Sequence, residues 1–100
     1  MNIPEKDKIV TIKIVTGKEV VGKVKSSDDS SVVLDRPVVI MMSPQGLALG
    51  AFVPTMDHKD GVTINKSQIV VIGPSLDKVA TEYTSAVSPI KTPPKSSLIV

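Results

Sequence analysis

The sequence predicts an all-β fold: a small, strongly bent antiparallel barrel followed by a short C-terminal helix. Three observations carry that expectation. Ile9–Val15 alternates, with Val10, Ile12 and Ile14 on one face and Thr11 and Lys13 on the other. A period of two in β-branched residues is the pattern of a half-buried strand. Thr16-Gly17-Lys18 then supplies a tight turn, because Gly17 is free to take the positive φ that a short hairpin demands. The second strand, Glu19–Lys25, places Gly22 between Val20 and Val24 on one face. A glycine inside a strand has no side chain to pack and marks a sharp bend or a close backbone approach.

The remaining elements follow in order. The polar run Ser26-Ser27-Asp28-Asp29-Ser30 breaks the chain before a third strand at Ser31–Asp35. Arg36-Pro37 interrupts that strand and Val38–Met42 resumes it. Proline has no ladder donor, so Pro37 implies an edge position or a bulge. Ser43-Pro44-Gln45-Gly46 reads as a turn. Leu47–Val53 is a fourth strand whose Ala48, Gly50 and Ala51 permit close packing, and PTMDHKDG over Pro54–Gly61 is an exposed loop. Val62–Ile64 and Gln68–Ile72 are apolar strand material on either side of Asn65-Lys66-Ser67. Gly73-Pro74 ends the sheet. Ser75 is a good N-cap, and Leu76, Val79, Ala80 and Tyr83 fall at helical spacing, which places a helix at Ser75–Val87. From Ser88 the run SPIKTPPKSS reads as an extended, proline-rich tail ending in the apolar Leu98-Ile99-Val100.

Composition narrows the setting. One hundred residues suit a single domain, residues 1–87, with a tail at 88–100. Apolar residues make up 41% but aromatics only 2%, so the core must be built from aliphatic side chains and few rings remain for stacking on bases. There is no cysteine, no signal-peptide pattern at the start and no apolar run of membrane-spanning length, so a soluble cytoplasmic protein is expected. The net charge of +2 is unevenly spread. Residues 1–27 carry six lysines against Glu5, Asp7 and Glu19, whereas residues 28–90 carry Arg36, Lys59, Lys66 and Lys78 against seven acids. Lys91 and Lys95 in the tail supply the excess, so the body is neutral overall. A neutral body lacks the broad basic excess of a generic phosphate grip.

At these residues the chain resembles a known family. TGKEVVGKV followed by SSDDSSVVL is similar to the first motif of the Sm/LSm/Hfq family, which includes phage-type Sm-like proteins. INKSQIVVI, Ile64–Ile72, is similar to the second motif. The resemblance covers about residues 8 to 73. It implies an SH3-like barrel of five strands, a cyclic homo-oligomer of about five to seven copies, and single-stranded RNA held near a central pore. In that family two loops line the pore: the aspartate loop after the bent strand and the turn before the last strand. Asp28 sits where the family's aspartate sits. Ser30 stands where uridine-binding members place a stacking aromatic or histidine, and Val32 is near the position of a base-reading asparagine. Asn65 and Lys66 occupy the place of the usual Arg-Gly pair, with Ser67 next. Lysine can hold phosphate as a point charge but lacks arginine's planar fork. The resemblance therefore implies the architecture without the uridine pocket. Weak binding of single-stranded nucleic acid, RNA first and DNA second, with little sequence preference follows.

Each candidate also has a plainer reading. Asn65-Lys66 is equally well an ordinary polar turn. Asp28-Asp29 is better read as a solvated loop whose side chains bond their own backbone. His58 beside Asp57 and Asp60 lacks the spacing of a metal cage and reads as an exposed turn. Met41, Met42 and Met56 read as core filler or subunit contact. Val38–Met42 and Gln68–Ile72 are the expected subunit-contact strands. No nucleophile–base pair, phosphate loop or paired carboxylates stand out, so neither an enzyme nor a bound cofactor or metal is expected. A structural or adaptor ring that organises protein partners is the alternative function.

Overall fold

The computed structural model describes residues 2–87. The tail at 88–100, with its apolar Leu98-Ile99-Val100, lies outside the described residues. The described chain is mainly antiparallel β with one short helix at its end. Strands β1 (Ile9–Ile14), β2 (Glu19–Ser27), β3 (Ser31–Ser43), β4 (Gly46–Ala51), β5 (Val62–Asn65) and β6 (Ile69–Pro74) precede helix α1 (Asp77–Val87). A single 3-10 turn, Lys66–Gln68, joins β5 to β6. The sheet runs β4-β3-β2-β1-β6, with β5 also on β3, and it is not closed.

Six strands form where five were expected, and the register gives the reason. β4 pairs the second half of β3, from Val38↔Ala51 to Ser43↔Gly46. β5 pairs the first half, from Ser31↔Asn65 to Leu34↔Val62. The two short strands lie end to end along the same edge of β3, and the segment 52–61 leaves the sheet between them. β3 is long enough to serve both because the expected break at Arg36-Pro37 is a bulge. Val21 pairs Val38 and Lys23 pairs Asp35, so Gly22 alone faces two residues, Arg36 and Pro37. Arg36 takes a φ of 45°, which lets the strand bend without ending. Gly22 lies beneath this bulge: a Cβ there would sit 3.1 Å from Leu34 Cβ and 3.3 Å from Pro37 Cα. The bend therefore falls at Gly22 as the sequence implied. Gly17, with φ of 95°, makes the β1–β2 turn.

The concave side of the bent sheet is the core. Val10, Ile12, Val20, Val24, Val32, Leu34, Val62, Ile64 and Ile69 are buried together there, with Ile14, Phe52 and Ile72 packed at the margin. Such aliphatic side chains contribute about 1.5–3 kcal/mol each on full burial. The opposite side carries a smaller apolar patch among polar residues such as Thr11 and Lys13, where Val21 is fully buried outside that cluster and α1 packs across β2. Tyr83 is the buried residue of the helix. Its hydroxyl donates to the Asp35 carbonyl at 2.5 Å, while Arg36 Nη1 donates to the Val87 carbonyl at 2.6 Å. Both ends of this clamp start at the β3 bulge. A cation on the last carbonyls also complements the helix dipole.

Three expectations need correction. The helix begins at Asp77, not Ser75. The Ser75 hydroxyl is hydrogen-bonded to Thr11 Oγ1 at 2.8 Å and its N–H donates to the Ile9 carbonyl, so Ser75 fastens the end of β6 instead of capping α1. Met41, Met42 and Met56 are exposed and are not core filler. Val38–Met42 is not a free edge either: Val38, Val39 and Ile40 pair with β2 on one side and β4 on the other. The edge beyond it is β4. β6 is the opposite edge, so of the expected Gln68–Ile72 the residues from Ile69 on lie on a border with no strand beyond it among the described residues, while Gln68 belongs to the 3-10 turn. No helix among the described residues is long and apolar enough to cross a membrane.

Candidate nucleic-acid interface

Asp28, Ser30, Asn65, Lys66 and Ser67 are far apart in sequence, and the β3–β5 pairing brings them together. Ser31 is the register partner of Asn65. One residue beyond on each side, the Lys66 N–H donates to the Ser30 carbonyl at 2.8 Å, extending the ladder into both loops. The Lys66 ammonium crosses to the Asp28 carbonyl. The β2–β3 loop and the β5–β6 turn are thus one surface.

Within that surface most polar groups already have partners. Asp28 Oδ1 accepts the Ser30 and Ser31 N–H groups, each at 2.9 Å, and the two hydroxyls at 3.3 and 3.2 Å. These bonds hold the Asp28 carboxyl below its ordinary value, the Ser30 N–H contributing most and the Ser31 N–H next. Asp28 Oδ1 is therefore the organiser of its own loop, as the plainer sequence reading had it. Ser67 Oγ donates to Asn65 Oδ1 at 3.4 Å, and Gln68 Nε2 donates to Ser67 Oγ at 3.3 Å. Ser30, Asn65 and Ser67 are exposed and Lys66 is half-buried. The surface offers hydroxyls, an amide and one ammonium, beside the exposed carboxylates of Asp28 and Asp29.

It offers no ring. The chain has two aromatic residues. Tyr83 is buried under the helix and Phe52 packs against the core. Val32, at the position where the resemblance implies a base-reading asparagine, is fully buried and faces the core. Stacking therefore lacks a side chain here and the Val32 position offers no base-edge contact, while the exposed Ser30, Asn65 and Ser67 and the half-buried Lys66 leave hydrogen bonding to sugar, phosphate or a base edge open.

The other candidates resolve simply. His58 Nε2 is 3.0 Å from the Val53 carbonyl, and Asp57 Oδ1 accepts the Lys59 N–H at 2.9 Å, so both stabilise the 52–61 segment. No group of three or more metal-ligating side chains occurs among the described residues. Sequence reasoning missed an apolar groove on the convex side, between α1 and β3–β4, containing Ile40, Met42, Leu47 and Leu76. Its signal was present: Val20-Val21 and Val38-Val39-Ile40 are consecutive apolar residues, which put aliphatic groups on both faces of a strand. No protein-family model matches this chain, and no curated protein matches it either.

Proposed function

We propose that this chain is a ring-forming Sm-like protein that binds single-stranded nucleic acid, RNA being the first candidate and DNA the second, weakly and with little base selectivity. The observation that supports it best is the joining of the Asp28 loop to the Asn65-Lys66-Ser67 turn through the Lys66 N–H and the Ser30 carbonyl. The resemblance assigns pore-lining positions to these two loops, and their contact is what that assignment requires. The end-to-end strands β4 and β5 read as one family strand interrupted at 52–61, which restores the five-stranded plan. Among the described residues the two open borders are β6 on one side and the end-to-end β4 and β5 on the other, and head-to-tail pairing between such borders generates a closed ring. Repetition around a ring would multiply one modest Lys66 contact several-fold.

A second reading, an adaptor ring that organises proteins, is favoured by one feature: Met42 and Leu76 are 75% and 72% exposed. Purification separates the two. Nucleic acid co-eluting with the protein, measured by a quantitative assay because the chain has no tryptophan and one tyrosine, favours the first reading. Nucleic-acid-free protein that also ignores added oligonucleotide at low salt favours the second.

A further inference from the structure

The convex side of the sheet carries a groove of about 660 Å³ between the start of α1 and the β3–β4 hairpin. Its apolar wall is made by Ile40, Met42, Leu47 and Leu76, three of which are exposed large hydrophobics. An apolar patch of this kind on a small domain marks a contact site. The rim is basic: Lys18 and Lys78 border the groove against the single acid Glu19. Neither ammonium makes an ion pair among the described residues, where Asp35–Arg36 is the pair that forms.

We infer that this groove docks a protein segment combining aliphatic and acidic side chains. The aliphatic groups would cover Met42, Leu47 and Leu76, and the acids would face Lys18 and Lys78. The charge argument also selects against the chain's own residues 88–100, which contain Lys91 and Lys95 and no acid. Lys66 lies on a different loop and outside the groove lining, so this docking is independent of nucleic-acid binding.

The test is fluorescence anisotropy on the full chain with a fluorescein-labelled peptide built from Leu and Glu at helical spacing. Two matched probes replace every Glu by Lys or every Leu by Ser. Saturable binding of the Leu/Glu peptide is expected, with both matched probes at least about tenfold weaker. Met42→Ser and Lys78→Glu, both at exposed positions, should each weaken it about tenfold with an unchanged circular dichroism spectrum, and Lys66→Ala should leave it intact. No binding, equal binding of the Leu/Lys peptide, or indifference to Met42→Ser overturns the inference. So does a change of oligomeric state in Met42→Ser by light scattering, which would give the groove to a second copy of the chain.

Discussion

Gly22 and Leu34 approach so closely that a Cβ on Gly22 would lie 3.1 Å from both Leu34 Cβ and Leu34 Cδ1. The Pro37 backbone closes the other side at 3.3 Å, and backbone cannot give way as a side-chain tip can. Gly22→Val should therefore destabilise the fold by about 1–3 kcal/mol through overpacking at the bend. Urea unfolding of the two proteins measures it. An unchanged midpoint would mean that the bend tolerates a side chain and that the tight contact is not structural.

Tyr83 and Asp35 join the helix to the β3 bulge, and removing only the hydroxyl tests that joint. Tyr83→Phe keeps the packing and loses one hydrogen bond, an expected cost of about 0.5–1.5 kcal/mol. Burial, reinforced by the Asp35 carboxylate, raises the Tyr83 hydroxyl above its ordinary value of 10.0. The neutral form is thus the one the fold favours. Its contribution is complete below the unfolded value and is lost as pH rises through the folded one. Thermal midpoints followed into the alkaline range should fall more steeply for the parent than for Tyr83→Phe. Parallel curves would mean that the hydroxyl does not titrate with unfolding.

The sheet was legible in the sequence because its signals are local. Alternation from Val10 to Ile14, a turn glycine at Gly17 and a bend glycine at Gly22 each need only neighbouring residues. What escaped was decided by distant partners. Ser75 looks like a cap, yet Thr11, a residue of β1, takes its hydroxyl. Pro37 leaves an edge position and a bulge both open, and it is Gly22 on the opposite strand that makes it a bulge. The two loops of the candidate interface could be named in advance only through the resemblance, since Ser30 and Lys66 are brought together by the β3–β5 register. The groove needed the position of α1, which no periodicity supplies.

Asp28 gives a local prediction. Its carboxylate organises Ser30 and Ser31, whereas no side-chain hydrogen bond of Asp29 is formed among the described residues. Asp28→Ala should speed hydrogen exchange at the Ser30 and Ser31 amides, and Asp29→Ala should not. Because the Asp28 carboxyl is lowered, the order it confers is present above its ordinary 3.8 and fades as pH falls through the folded value. Equal exchange in the two variants would remove Asp28 from its organising role.

Assembly is tested at the β6 border. Val70 and Val71 are each 58% exposed on an unpaired edge strand, an arrangement that invites pairing with another chain. Multi-angle light scattering at micromolar concentration should give a closed oligomer of about five to seven copies. Val71→Lys should shift it toward monomer with the fold unchanged. A monomeric parent would sink the ring.

The strength of the proposed nucleic-acid binding is set by what the joined loops contain. One ammonium per chain, Lys66, faces a surface that also bears Asp28 and Asp29, so attraction to phosphate is partly cancelled at source. Lys66 must also release the Asp28 carbonyl to reach a ligand, which weakens the contact further. Stacking normally adds about 1–3 kcal/mol per base, and neither Phe52 nor Tyr83 is placed to supply it. The expected behaviour is weak binding that declines steeply with salt and barely distinguishes oligo-U from a mixed sequence. Fluorescence anisotropy at two salt concentrations, on the parent and on Lys66→Ala, measures all three properties. Lys66→Ala should weaken both oligonucleotides equally and flatten the salt dependence. Tight, uridine-selective binding that survives Lys66→Ala would place the site away from these loops. Absence of binding even at low salt would leave the groove beside Met42 and Leu76, and a protein partner, as the working surface of the molecule.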